Sequence, residues 1–492
     1  MRLICWFRRD LRLRDNIALD YAVREAVGNI VPVFIFDDAI LRDGTIGAAI
    51  TAVTLEMLAA LDTNLRTLGS ELIIRHGAPL NVLHTLITES NADGVVWNRD
   101  YLPYAIDRDS AVKSSLRAAG KQAHSFHDAV LVEPEGLLTK SANKPYTVYG
   151  AYAKRWNELA YAQVERIVPT PTYLQPVPAA VTRQPLPTLA ELEFTLTQTI
   201  PPANEASANE LLTHFFDRSR PLSAIQYGSA RQLPAQSGTS SLSMHLRMGT
   251  ISPRTCLHTA LNALASPLTA LERKGVDTWL SELAWRDFYN QFVFHVPRVL
   301  DEPYDESYAA LAWRNDEGEF AAWCEGRTGY PIVDAGQRQL NAEAWMHNRV
   351  RMISASFLIK HLLVDWRWGA RYFMLQLRDA DAPANNGGWQ WAAGTGGPSA
   401  QPYFRILNPI AQSKKHDLKG GYIRKYVPEL ANVPDHYIHE PWLMPRTVQK
   451  QVGCIIGEHY PAPLVDHAVA RDRALAVYRA VRQPSDLSIS DD

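Results

Sequence analysis

The stretch Ile30-Val31-Pro32-Val33-Phe34-Ile35-Phe36 is apolar from end to end, and a run of that length reads as a strand buried on both faces, the kind found inside a parallel sheet. Similar short runs lie around it: Leu3 to Phe7 before, then Glu71 to Arg75, Gly94 to Trp97 and Gln122 to Phe126. Between them apolar residues take helical spacing, with Leu55, Leu58, Leu61, Leu65 and Leu68 ahead of the third run and Val82, Leu83, Leu86 and Ile87 ahead of the fourth. Alternation of this sort predicts an α/β unit over residues 1–130, a doubly wound, Rossmann-like parallel sheet.

From 131 to 205 the periodicity fades. Pro169, Pro171, Pro176, Pro178, Pro185 and Pro187 make the middle of this segment unfit for a helix or a central strand, so it is read as an interdomain linker. Residues 206–482 are helical in pattern, with clear examples at Ala206 to Phe216, Thr255 to Ala265, Thr278 to His295, Trp345 to Leu363 and Trp368 to Arg378. Residues 483–492 form a short acidic tail, expected to be disordered. The fold class is therefore α/β followed by all-α, in a chain of 492 residues that is too long for one core.

Composition narrows the function only a little. No run of eighteen apolar residues occurs and the first ten residues hold three arginines without an apolar core or a small-residue cleavage site, so neither a membrane span nor a signal peptide is expected and the cytoplasm is the expected location. Cys5, Cys256, Cys324 and Cys454 are scattered, against a disulfide framework or a zinc ribbon; no metal site is predicted. With a net charge of -2, any nucleic-acid surface must be a local basic patch. Ten of the thirteen tryptophans lie beyond residue 278, which concentrates aromatic chemistry in the helical half.

Four stretches there stand out. Gly238-Thr239-Ser240-Ser241-Leu242-Ser243 sets four hydroxyls behind a glycine ahead of a helical pattern, which suits a phosphate and equally an ordinary N-cap. In Trp279-Leu280-Ser281-Glu282-Leu283-Ala284-Trp285-Arg286, helical spacing puts Glu282 one turn before Arg286, the favourable order for an ion pair, with Trp285 beside Glu282. That is either a solvated salt bridge with core tryptophans or a flat wall whose polar group reads a base edge. Between Trp345 and Met352, the residues Trp345, Asn348 and Met352 share a helix face with Arg351 alongside; taken alone, Met352 reads as core filler and Arg349 as a surface charge. Most specific is Arg378-Asp379-Ala380-Asp381-Ala382-Pro383-Ala384-Asn385-Asn386-Gly387-Gly388-Trp389-Gln390-Trp391, a loop that calls for a ligand or tight packing. If helix continues through it, Trp389 and Trp391 turn to nearly opposite sides, one toward a cofactor and one toward a substrate.

Taken together these residues resemble the photolyase and cryptochrome family, and within it the class I cyclobutane pyrimidine dimer photolyases. The likeness runs from Trp6-Phe7-Arg8-Arg9-Asp10-Leu11-Arg12-Leu13-Arg14-Asp15-Asn16 through Gly329-Tyr330-Pro331-Ile332-Val333-Asp334 and Asn385 to Trp391, and on to Tyr403-Phe404-Arg405-Ile406 and Asn408-Pro409. The resemblance implies an antenna domain followed by a helical domain holding a U-shaped FAD, active when reduced, against Tyr227, Thr239, Ser240, Ser241, Leu242, Ser243, Trp279, Asn348, Arg351, Asp379, Asp381 and Asn385. Arg351 and Asp379 would pair beside the isoalloxazine, and the Asn385 amide would face the ring nitrogen that gains a proton. It implies light-driven splitting of dimers in UV-damaged DNA by a monomer, with Trp285 and Trp391 clamping the flipped-out dimer, Glu282 bonding the pyrimidine, and Asn348 and Met352 beside it. Arg231, Arg286, Arg349 and Gln412 would touch the DNA, and Trp389, Trp366 and Trp313 would carry electrons to the flavin.

Tyr104 and Ala105 stand where some relatives hold the Asn-Glu pair of a folate antenna. The stretch Asp100 to Tyr104 is closer to relatives with a deazaflavin or flavin antenna, although Leu102 lacks the acid of one such binder, and an empty pocket is the alternative. Two other functions are weighed against dimer repair. A cryptochrome, signalling by blue light without repair, is disfavoured by the presence of both Trp285 and Trp391 and by Asn385; repair of (6-4) photoproducts calls for a histidine pair where Asn348 and Arg349 stand.

Overall fold

The computed structural model describes residues 1–139, 142–396, 403–481 and 488–491. Five parallel strands, β1 (Leu3–Phe7), β2 (Ile30–Phe36), β3 (Ile73–His76), β4 (Gly94–Asn98) and β5 (Gln122–Phe126), lie in the order β3-β2-β1-β4-β5. Chain progression reverses between β1 and β4, as in a doubly wound sheet. Alternate β1 side chains supply the two faces: Leu3, Cys5 and Phe7 join one core cluster, Ile4 and Trp6 the other. β3 begins two residues later than its sequence pattern because Glu71 turns outward to Arg66 and Arg183. Helix Ala48–Thr67 is long and apolar enough to cross a membrane by composition alone; here Ile50, Val53, Met57, Leu58, Leu61 and Leu65 are buried against the sheet.

The segment read as linker divides in two. Its first part carries helix Tyr149–Ala160, whose Tyr152, Trp156 and Ala160 are buried in one cluster with Trp279, Leu283 and Phe288 of the helical half. From 167 to 204 there is neither helix nor strand. This proline-rich strap runs back over the α/β unit, where Leu174 N–H donates to the Leu68 carbonyl at 2.8 Å and Gln175 N–H to Gly28 at 2.9 Å.

In the helical half the long helix Ala270–His295 starts earlier than the apolar pattern shows, because Thr269 and Glu272 form a reciprocal capping box. The 345–363 pattern resolves into helix Asn348–Ser356, capped by the His347 side chain, followed by a π-helical turn at Phe357–His361. The predicted tail lies outside the described residues except for Ser488–Asp491, a strand paired in parallel with Tyr403–Ile406.

Buried ion pairs join the two halves. Asp128 accepts from Arg12 at 2.7 Å and from Arg254 at 2.6 Å, and Arg254 also reaches Asp15 at 3.2 Å; all four side chains are at most 3% exposed. Breaking such a pair from one side costs about 3–5 kcal/mol, so the junction is held in one arrangement. Gly249 permits it: its φ is +71°, and a Cβ there would lie 2.1 Å from the Arg9 carbonyl oxygen.

Candidate functional site

The long helix presents the first wall. Trp279 is buried and its indole N–H donates to Ser240 Oγ at 3.2 Å. One turn on, Glu282 is ion-paired with Arg231. Burial pushes the Glu282 carboxyl above its usual range, against the pull of Arg231. The expected Glu282–Arg286 pair does not form. Arg286 turns to the junction instead, donating to the carbonyls of Ala129 at 2.6 Å and Leu246 at 3.1 Å. An exposed one-turn ion pair is worth about 0.3–0.5 kcal/mol, less than two charge-assisted bonds to partly buried carbonyls. With 13% of its side chain exposed, Arg286 turns toward the domain junction.

Trp285 has a partner that the sequence reading missed. Tyr149, the first residue of helix Tyr149–Ala160, stacks on it with ring centroids 3.5 Å apart and planes 4° apart, and its hydroxyl donates to the Ser281 carbonyl at 2.9 Å. Tyr289 flanks Trp285 at 5.5 Å. Aromatic density in the linker, Tyr146, Tyr149 and Tyr152, was the one available signal, and periodicity gives no means of pairing residues 136 positions apart.

The next wall comes from helix Asn348–Ser356 and the residues after 377. Arg351 donates to both oxygens of Asp379 at 3.0 and 3.1 Å, the pair the resemblance implies. Burial raises Asp379, but Arg351, Ser243 and Arg378 outweigh it and hold the carboxyl below its usual range. His347, 2% exposed, accepts the Arg349 backbone N–H through Nδ1 at 3.2 Å. Burial, then the Arg351 and Arg349 cations, push it down to about 4. Asn348 is exposed and Met352 partly so, on the same short helix. Arg349 donates to Gln232 at 3.0 Å, which places it next to Arg231. Tyr227 lies under the Arg231 guanidinium at 5.3 Å. Of the hydroxyl stretch, Thr239 and Ser240 are half-buried, Ser241 and Ser243 are exposed and Leu242 is buried.

The Arg378–Trp391 stretch is mostly helix rather than loop: helix Ala382–Ala393 starts after Asp381 with a proline in its first turn. Gly387 serves packing, since a Cβ there would lie 2.1 Å from the Tyr289 ring, whereas a Cβ on Gly388 would meet nothing within 4 Å. Asn385 donates its NH2 to the Ala370 carbonyl at 3.0 Å, which leaves its carbonyl oxygen to accept a ring N–H. Asp381 does not join Asp379; it pairs with Arg9 at 3.0 Å and lies 3.6 Å from Arg247. As a two-residue helical step requires, Trp389 is 2% exposed, against Phe373 at 5.1 Å and Trp323 at 6.2 Å, while Trp391 is partly exposed. Trp366 is buried in the same cluster, and Trp313 packs against it from outside, with Tyr478 6.4 Å away. Gln412 is 6% exposed, on the inner side of helix Pro409–His416.

At the switch between β1 and β4, Arg8, Arg9, Asn98, Arg99 and Asp100 line a narrow crevice. Asp100 accepts from Arg9 at 3.2 Å, Tyr104 donates to Asp37 at 2.8 Å, Leu102 is the cap residue of helix Pro103–Ala118 and Ala105 is buried.

Comparison with known proteins agrees with this architecture. Residues 3–175 match the family described as DNA photolyase, and residues 279–480 match the FAD binding domain of DNA photolyase. A deoxyribodipyrimidine photo-lyase of Agrobacterium fabrum is 40% identical over 489 residues, 98% of each chain. Among solved structures, a bacterial class III photolyase from Agrobacterium tumefaciens superposes with a TM-score of 0.89 at 39% identity, covering 98% of this chain and 97% of that one. A Synechocystis cryptochrome superposes with a TM-score of 0.86 at 27% identity, covering 97% of this chain and 99% of that one.

The fold, the site and the matched families thus define a flavin-binding enzyme with an aromatic wall at Tyr149, Trp285 and Tyr289. This chain belongs to the DNA photolyase family. Its cofactor is FAD, and the donor set fits it: a run of hydroxyls between Thr239 and Ser243, a cation and an anion paired at Arg351 and Asp379, and an acceptor on Asn385.

Proposed function

We propose that this photolyase is a light-driven lyase that splits cyclobutane pyrimidine dimers in UV-damaged DNA. One observation carries the reading: Glu282, Arg231 and Trp285, a hydrogen-bonding group, a cation and a flat ring, share one partly exposed wall. Trp391 stands one turn beyond Gly387, which packs on the Tyr289 ring beside Trp285.

Photolyases are a standard example of enzymes that extrude their target from the duplex, at a cost of a few kcal/mol that is least for a damaged site. Arg231, ion-paired with Glu282, and Arg349, held next to Arg231 through Gln232, supply positive charge for the DNA backbone. Trp285 and Trp391 offer stacking faces to the extruded pyrimidines, Met352 packs beside them, and Glu282 with Asn348 bonds their polar edges. Reduced FAD held there would supply light-driven one-electron chemistry to the dimer, with the electron returned at the end. The protein orients the groups: Tyr227, Thr239 to Ser243, Trp279, Arg351, Asp379 and Asn385 would hold the cofactor, and the Asn385 oxygen would accept a hydrogen bond from its ring N–H. Trp389, Trp366 and Trp313 form the route by which the resting cofactor is reduced. The enzyme works as a monomer in the cytoplasm; the cysteines are free, three of them buried.

Illuminating the chemically reduced protein with an oligonucleotide that carries one thymine dimer tests the reading. Thymine absorbance returns in the light and not in the dark. Unchanged dimer after illumination would contradict it.

A further inference from the structure

We infer that Tyr149 is a positioning residue of the lesion-binding wall, one that fixes the plane of Trp285; the inference rests on the dimer-repair reading and deepens it. A half-exposed tryptophan on a helix surface has several rotamers open to it, whereas stacking on a base needs one ring plane. Tyr149 supplies that constraint from outside the matched FAD-binding domain, which begins at residue 279.

The geometry is a three-sided frame. Tyr149 covers one face of Trp285 at 3.5 Å with planes 4° apart, Tyr289 lies at 5.5 Å with a 30° tilt, and the fully buried Phe288 meets the Trp285 ring at 5.7 Å and 72°. Tyr149 is itself fixed. Phe288 meets it nearly edge-on at 5.6 Å, and its hydroxyl donates to the carbonyl of Ser281, the residue just before Glu282. Burial, and after it the Glu282 carboxylate, push the phenol upward, so the hydroxyl stays a donor. One side chain therefore touches the backbone beside Glu282 and the ring of Trp285, and leaves Trp285 a single face for a base.

A core-filling role alone does not account for the position. Tyr149 is only half-buried, Val148 before it is 64% exposed, and a Cβ on Gly150 after it would meet nothing within 4 Å. The residue stands at the rim of the cleft.

Y149F and Y149L separate ring plane from bulk. Dissociation constants are measured for dimer-containing and undamaged duplexes, together with flavin content, flavin photoreduction and near-ultraviolet circular dichroism. Y149F should keep its preference for the dimer within about twofold, and Y149L should lose about five- to tenfold of it, the worth of an aromatic pair, with undamaged binding, flavin content and photoreduction unchanged. Equal preference in Y149L and the natural protein would overturn the inference, and so would equal losses on both duplexes or loss of flavin from Y149L. Should the natural protein itself show no preference, the dimer reading fails. The loss of the stacked Tyr-Trp dichroism in Y149L still tests the contact without DNA.

Discussion

Glu282 and Arg231 are ion-paired at the rim of the cleft, so the group assigned to the lesion and the group assigned to the DNA backbone neutralise each other in the free protein. Burial already holds the Glu282 carboxyl above its usual range, and Arg231 opposes that rise. Removing the cation in R231M should move the Glu282 titration further up, because nothing then offsets desolvation. Infrared difference spectra of R231M against R231M/E282Q, followed over pH, check this. A titration unmoved from that of the natural protein would mean that the pair does not govern the carboxyl.

Trp389 packs so closely on Gly369 that a Cβ there would lie 2.0 Å from the indole ring. G369A should therefore displace the ring and slow light-driven reduction of oxidised flavin, and W366F should block it. In both variants, chemically reduced enzyme should repair at close to the normal rate. Normal photoreduction in W366F would remove Trp366 from the electron route.

His347 caps helix Asn348–Ser356 as an acceptor and stands at about 4 in the folded protein against an ordinary value of 6.5. The unfolded chain binds this proton first, so the contribution is complete above about pH 6.5 and is lost as pH falls toward 4, by about 3 kcal/mol in all. Asparagine caps without titrating. Thermal unfolding of H347N should show a shallower loss between pH 6.5 and 4.5 than the natural protein, and equal slopes would contradict the assignment.

Arg351 is the principal cation on Asp379, whose side chain is 4% exposed. R351M should cost about 3–5 kcal/mol, the penalty for a buried charge left without its partner, and should weaken flavin retention. R351M/D379N should recover most of the stability while still retaining flavin poorly. Thermal melts and flavin absorbance separate the two effects; no recovery in the double variant would show that the charge was not the cause.

Local pattern carried the fold far and the site part of the way. β1 and β2 begin and end where their apolar runs do, because a strand buried on both faces leaves no polar residue inside it. Trp389 and Trp391 separate as the helical step demands. Pairings across distant elements were not legible. Spacing offered Arg286 to Glu282, but Arg286 is recruited by carbonyls at the domain junction and Glu282 by an arginine 51 positions earlier. Asp381 looked like a companion of Asp379 and instead serves Arg9, 372 positions away. Tyr149 lay in a segment read as linker, since only the packing of helix Tyr149–Ala160 against the long helix gives it a role.

The most direct test of the central claim is a crystal structure of the protein with duplex DNA that holds one thymine dimer. The dimer should lie outside the helix, against Trp285 and Trp391, with the Glu282 carboxyl turned from Arg231 to the pyrimidine edge. A dimer still stacked in the duplex, with Glu282 and Arg231 paired as before, would contradict it.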